Sequence, residues 1–125
     1  MRVAIPVWEG RVSPVLDVAG RLLLVDVDDR HEVSRLLEKV DTSLLPQRVR
    51  RFCELGVEVV ICGAVSRPLA DMLHVSGITV YSCIVGEVED VLNSYLRDGV
   101  PDSSFSMPGY EDHRGRRRWR GKYDR

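Results

Sequence analysis

Short apolar runs separated by turn residues and charges open the chain. The runs cover residues 2–7, 22–27 and 32–40, and aliphatic or β-branched side chains dominate each of them. Such runs predict strands. The spacing of the third run also permits a helix, but the polar residues 28–31 before it are typical of a hairpin turn. We therefore predict three strands, with the last two joined as a hairpin.

Helical spacing begins after residue 40. Leu45, Val49, Phe52 and Cys53 share the apolar face of a predicted helix that Gly56 ends, so we expect Cys53 in the core. Strand and helix patterns then alternate, and the predicted elements are strand 57–62, helix 66–75, strand 78–85 and helix 87–96. This order predicts a single α/β domain with a mixed sheet of about five strands and three helices.

The pattern stops after residue 100. Residues 101–107 form a polar stretch, and 110–125 hold six Arg and one Lys against three acidic residues, a charge of +4. The formal net charge is -1, which leaves -5 for residues 1–109. We predict one domain over residues 1–100 and a flexible connector with an Arg-rich tail over 101–125.

Composition indicates a reduced, cytoplasmic compartment. The three cysteines form no Cys-x-x-Cys pair, and each lies in an apolar segment where buried thiols are common. The chain opens directly on an apolar strand pattern, and no apolar run approaches the roughly 20 residues of a membrane span. We expect a soluble protein with no membrane association.

The stretch CGAVSRPLADML, residues 62–73, places a strand end directly before a capped helix. Gly63 and Ala64 should lie at the carboxyl edge of the sheet, with Ser66 as the helix cap. Free N–H groups at a helix start favour an anion, and Arg67 in the first turn suits a negative ligand better than it suits the helix dipole. The alternative is a plain strand-to-helix turn with Arg67 in solvent.

Two long segments resemble one protein family. RVAIPVWEGRVSPVLDVAGRLLLVDVD and VEVVICGAVSRPLADMLHVSGITVYSCIVGEVEDVLNSYL are similar, element by element, to the dinitrogenase iron-molybdenum cofactor biosynthesis family, the NifX and NifB C-terminal type of small domain. The resemblance covers roughly residues 1–100. It implies a ribonuclease H-like fold and a role in binding, storing or delivering an iron-sulfur, iron-molybdenum or other molybdenum-sulfur cluster.

The resemblance also indicates which loops form the binding site. Ser13 and Asp17 follow the first strand and would reach the same edge as Gly63, with Arg11 on the same loop and Gly86 after the neighbouring strand. An alternative is that Ser13 begins a simple turn and Asp17 caps the following segment. The predicted cluster-binding residues are Arg11, Ser13, Asp17, Gly63, Ala64, Ser66, Arg67 and Gly86.

Direct protein ligands to a metal are less evident. Cys62 and Cys83 end neighbouring predicted strands and are reserve candidates, although buried structural thiols are the simpler interpretation. His113, beside two acids in the tail, is the third reserve candidate. The alternative is that the tail binds no metal.

Enzymatic motifs are missing from the sequence. There is no GxxxxGK[ST], GxGxxG or GxSxG pattern, and the first strand RVAIPV lacks the carboxylate that a ribonuclease H-like nuclease needs. We therefore expect a carrier protein rather than an enzyme.

Two other hypotheses concern partners. The domain could be an interaction or regulatory module for a metalloprotein, a redox partner or a cluster-assembly protein. The tail, with Trp119 and Tyr123 among its arginines, resembles an RNA-binding arm, which we rank last. A basic tail of this kind could instead associate with the acidic body, close over an anionic cluster, or stay solvated without a role.

Overall fold

Residues 1–41 and 44–107 are described by the computed structural model. In these ranges the chain forms six strands and three α-helices, with 3-10 turns at Leu16–Val18 and Ser103–Phe105. The strands are β1 (Arg2–Trp8), β2 (Arg11–Val12), β3 (Arg21–Asp28), β4 (His31–Lys39), β5 (Val59–Ile61) and β6 (Thr79–Tyr81), and the helices are α1 (Leu45–Glu54), α2 (Arg67–Val75) and α3 (Val88–Asp98). The predicted α/β class, the three helices and a strand at 32–40 are confirmed. The prediction missed β2.

The sheet is mixed, with β1 near its centre. Its order is β4-β3-β1-β5-β6, and the short β2 pairs with β1. The pairs β1–β3 and β3–β4 are antiparallel, whereas β1–β5 and β5–β6 are parallel. Helix α2 makes the crossover from β5 to β6. The ribonuclease H-like assignment stays a prediction.

Two tight hairpins explain the antiparallel half. Asp29 and Arg30 both have positive φ, 53° and 66°, as the two central residues of the turn between β3 and β4. Glu9 and Gly10, at 52° and 79°, form the same kind of turn between β1 and β2. Two successive residues with positive φ give the turn whose twist matches that of paired strands.

The core has two layers, one on each face of the sheet. Ala4 and Val60 lie in the layer with α1 and α2, and Val3 and Ile61 lie in the layer with α3. This division follows from the alternation of side chains along a strand. The expectation that Cys53 lies in the core is wrong, because the face of α1 that packs consists of residues 48, 49 and 52 and Cys53 is exposed.

The described part of the connector packs against the domain. The Val85 N–H donates to the Phe105 carbonyl at 2.7 Å, and the Met107 N–H donates to the Cys83 carbonyl at 2.8 Å. Residues 103–107 therefore lie along the segment that follows β6. The prediction of a flexible connector and tail covers residues 101–125, of which 108–125 lie outside the described ranges. None of the three helices described is long and apolar enough to cross a membrane.

Candidate functional site

Three chain segments meet where β1, β5 and β6 end, and we call residues 11–19, 63–67 and 83–87 the carboxyl edge. The Leu16 N–H donates to the Ala64 carbonyl and the Ala64 N–H donates to the Pro14 carbonyl, both at 2.8 Å. The Ser13 N–H donates to the Pro6 carbonyl, also at 2.8 Å. The loop after β1 is therefore fixed beside the turn after β5, as the sequence predicted for Ser13, Gly63 and Ala64.

Gly63 is required by this close approach. A Cβ atom at Gly63 would lie 2.6 Å from the Pro14 carbonyl oxygen and 2.7 Å from the Ser13 carbonyl oxygen. Both neighbours are backbone atoms, which cannot rotate away as a flexible side chain can. The glycine in the CGAVSR stretch thus serves the contact between two loops.

Asp17 binds Ser66, the N-cap residue of α2, although the two are 49 positions apart in the sequence. One carboxylate oxygen accepts from the Ser66 N–H at 2.9 Å and the other accepts from the Ser66 hydroxyl at 2.5 Å. The Ser66 Oγ atom in turn accepts from the Leu69 N–H at 3.3 Å. Asp17 and Ser66 are therefore brought together as predicted, but two expectations change.

The expectation of free N–H groups at the start of α2 is wrong for Ser66 and Leu69, because Asp17 and the Ser66 side chain accept from them. Pro68 has no N–H to offer. Asp17 also does not cap the segment that follows it, since the next element is strand β3 and its carboxylate accepts from Ser66 instead. The anion that the terminus of α2 attracts is one of the protein's own carboxylates.

Arg11 and Gly86 reach the same edge through β2. The Val12 N–H donates to the Gly86 carbonyl at 3.0 Å, and the Arg11 guanidinium lies 2.9 Å from the Glu87 carboxylate. Both of these charged side chains are about half exposed, at 51% and 57%. A Cβ at Gly86 would lie 2.8 Å from the Phe105 ring, so this glycine makes room for the docked connector. Arg67 is exposed at the first residue of α2.

The reserve metal ligands are placed less favourably. Cys62 is fully buried, and burial raises the pKa of its thiol, with the nearby charges of Cys83 and Asp17 adding to the increase. A neutral thiol is a poor metal ligand. Cys83 is partly buried, and its N–H donates to the Gly63 carbonyl at 2.9 Å. His113 lies outside the described residues.

Within residues 1–41 and 44–107, no three His, Cys, Asp or Glu side chains are grouped so that they could hold a metal ion. The side chains at the carboxyl edge include the guanidinium groups of Arg11 and Arg67 and the carboxylates of Asp17 and Glu87, which accept from Ser66 and Arg11. The two exposed arginines are the groups that favour an anion there.

Sequence reasoning missed Arg48. This residue lies on the buried face of α1 and its guanidinium donates to the carbonyl oxygens of Leu16 and Ala19 in the Asp17 loop. The signal was available, because position 48 falls between Leu45, Val49 and Phe52 on the predicted apolar face.

Comparisons with solved structures show the same fold. The chain is similar to PH0822, with a TM-score of 0.73 and 20% identity over 82% of this chain and 94% of that one. It is similar to MJ0327 of Methanocaldococcus jannaschii, with a TM-score of 0.67 and 19% identity over 82% and 92% of the two chains. It is also similar to TM1290 of Thermotoga, described as a candidate NifB protein, with a TM-score of 0.63 and 21% identity over 86% of this chain and 98% of that one. No curated protein matches the chain.

A family model described as dinitrogenase iron-molybdenum cofactor matches residues 1–98. The match includes all six strands, all three α-helices of the described residues and the three segments of the carboxyl edge. The chain therefore belongs to the dinitrogenase iron-molybdenum cofactor family, and its role lies in the biosynthesis of that type of cofactor.

Proposed function

We propose that this protein is a carrier that binds an anionic iron-sulfur, iron-molybdenum or other molybdenum-sulfur cluster at the carboxyl edge and stores or delivers it in the cytoplasm. The observation that supports the proposal most is the family match over residues 1–98. The cluster is cargo, and the protein performs no bond-making step on it.

The chemistry of the carboxyl edge supports noncovalent binding. Arg11 in β2 and Arg67 at the first position of α2 are exposed, and both belong to the carboxyl edge together with Ser13, Ser66 and Gly86. Sulfide-bridged clusters carry negative charge and accept hydrogen bonds at sulfur, so exposed arginines complement them. The lack of a three-ligand group among the described residues favours a cargo that leaves again over a permanent metal centre.

Anaerobic reconstitution tests the proposal directly. The purified full chain is incubated with [4Fe-4S] or molybdenum-iron-sulfur clusters, passed through gel filtration, and analysed by visible absorption and metal content. We expect stoichiometric retention. The double variant R11Q/R67Q should lose affinity, whereas R50Q, which changes an exposed arginine on α1, should retain it. No retained metal with any cluster type would refute the proposal.

A second candidate function is docking of a metalloprotein or cluster-assembly partner. Trp8 is 63% exposed at the end of β1 and Val18 is 77% exposed in the loop that carries Asp17. Large exposed apolar side chains beside a binding site are typical of contact surfaces. Capture from an anaerobic lysate with the wild-type chain and with W8S/V18S, each with and without cluster, separates the two functions. A partner captured equally without cluster would favour the docking role.

A further inference from the structure

Arg48 is a charged residue inside the apolar face of α1. Its exposed fraction is 2%, and it lies beside Val49 and Phe52, which are also buried. A guanidinium costs free energy when it leaves water, unless hydrogen bonds and nearby charge compensate. A methionine or leucine would fill such a position without that cost. The contacts of Arg48 should therefore explain its charge.

Those contacts hold one particular turn. The Nη2 atom of Arg48 donates to the carbonyl oxygen of Leu16 at 3.2 Å and also to that of Ala19. These two carbonyls lie at the two ends of the 3-10 turn that contains Asp17. A single nitrogen atom therefore fixes both ends of the turn to α1.

The same turn is joined to α2 through the carboxylate of Asp17. Ser66 donates to it from both its N–H and its hydroxyl. Burial lowers the pKa of Arg48, and the nearby charge of Asp17 opposes that decrease. Arg48, the turn and the start of α2 thus form one connected polar network beneath the carboxyl edge.

We propose that Arg48 is a positioning residue for the carboxyl edge, because it holds the Asp17 turn in register with the start of α2. Arg48 itself is too buried to touch a cargo at the surface. Its effect on cluster binding rests on the proposed function, but its effect on the turn does not. The two effects can therefore be measured separately.

Hydrogen exchange measures the effect on the turn in the full chain without any cluster. R48M keeps an unbranched, flexible side chain, although a shorter one, and removes the donors and the charge. We expect exchange at the Ser66 and Leu16 amides to rise roughly tenfold or more, the order expected for losing hydrogen bonds from a charged donor. The Val91 amide in α3 serves as the internal reference. R48K keeps the charge and should give a smaller increase, and R50M, at an exposed position of the same helix, should give none.

Cluster affinity measures the functional effect at equal concentrations of folded protein. Partners that orient metal-binding groups typically change affinity by roughly 10–100-fold, and we expect a loss of that order in R48M. If Arg48 acts through the turn, the R48M/D17A double variant should bind no more weakly than the weaker single variant. Losses that simply multiply would show that Arg48 acts by another route and would contradict the proposal.

Unchanged exchange at Ser66 and Leu16 in folded R48M would overturn the proposal, as would an increase that is equal at Val91 and so reports only general loosening. If R48M does not fold, the same comparison is made between R48K and R50M. If the wild-type chain retains no cluster, the proposed function fails, and the exchange result alone decides the role of Arg48.

Discussion

Asp17 shows how one side chain decides what a helix terminus can do. Its carboxylate accepts both hydrogen bonds that Ser66 offers and places a negative charge at the positive end of the α2 dipole. An anionic cargo at the carboxyl edge therefore meets a terminus that already has an anion. Its favourable contacts must come from the surrounding groups, of which Arg11 and Arg67 are exposed.

Gly63 gives the most direct prediction at the level of one residue. The change Gly63→Ala should lower the free energy of unfolding by about 1–3 kcal/mol, because the new methyl group meets two backbone carbonyls that only a loop shift can relieve. Urea denaturation measures the change.

Gly20→Ala is the matched control for this substitution. A Cβ at Gly20 has no neighbour within 4 Å, so alanine there should be neutral or slightly stabilising through the unfolded chain. Equal effects at positions 20 and 63 would contradict the role assigned to Gly63.

At the level of elements, the sequence was informative wherever structure depends on near neighbours. The periodicity of Leu45, Val49 and Phe52 predicts α1, and the polar residues before β4 predict its hairpin. The resemblance placed Asp17 at the same edge as Ser66, but the hydrogen bonds between them could not be predicted from local pattern, because they join residues 49 positions apart. The prediction for Cys53 was wrong because the spacing of apolar residues does not fix which neighbouring positions of a helix are buried. In the folded chain α1 buries Arg48 with Val49 and Phe52 and leaves Cys53 exposed.

The Arg2–Asp26 ion pair links β1 to β3 and predicts a pH dependence. Hydrogen bonds from Arg2 and then Ser34 lower the pKa of Asp26 from 3.8 to about 2. The unfolded chain binds more protons than the folded one between these values. The stabilisation is therefore complete above about pH 4 and is lost as the pH falls through about 2.

Denaturation of the wild-type chain and of D26N from pH 6 to pH 2 tests this dependence. Since asparagine does not titrate in this range, the wild-type chain should lose its advantage over D26N as the pH falls below about 4. A difference that stays constant down to pH 2 would show that the ion pair does not control this part of the stability curve.

The docked segment 103–107 gives a second prediction for an element. Phe105 packs over Gly86, and its carbonyl accepts from the Val85 N–H at 2.7 Å. Because the ring is only partly buried, Phe105→Ala should cost about 1–2 kcal/mol, less than the roughly 3–5 kcal/mol of a fully buried phenylalanine. Thermal unfolding of F105A and of the exposed control S103A measures it. Equal melting temperatures would indicate that the segment contributes nothing to the fold.

For the whole molecule, the charge of the tail and the position at which the described chain ends both bear on how a cluster is retained. Residues 1–109 carry -5 and residues 110–125 carry +4. The last described residue, Met107, hydrogen-bonds to the Cys83 carbonyl, so the chain leaves the described domain at the carboxyl edge. The Arg-rich segment follows Met107 closely in the sequence, and we expect its positive charge to favour retention of an anionic cargo.

Deleting residues 110–125 tests whether the tail helps to retain the cluster. We expect an unchanged melting temperature, because the tail has no apolar periodicity that could contribute to the core. Cluster dissociation should become faster at low salt, where the Debye length is about 30 Å at 0.01 M, and much less so at physiological salt, where it is about 8 Å. A full-length variant with its six tail arginines and Lys122 changed to glutamine should lose the cluster at least as fast as the deletion, since it removes the seven positive charges and keeps three acidic residues. Equal dissociation rates for all three forms at low salt would refute the role of the tail. A gel shift of RNA by the full chain alone, weakening steeply with salt, would instead support RNA binding.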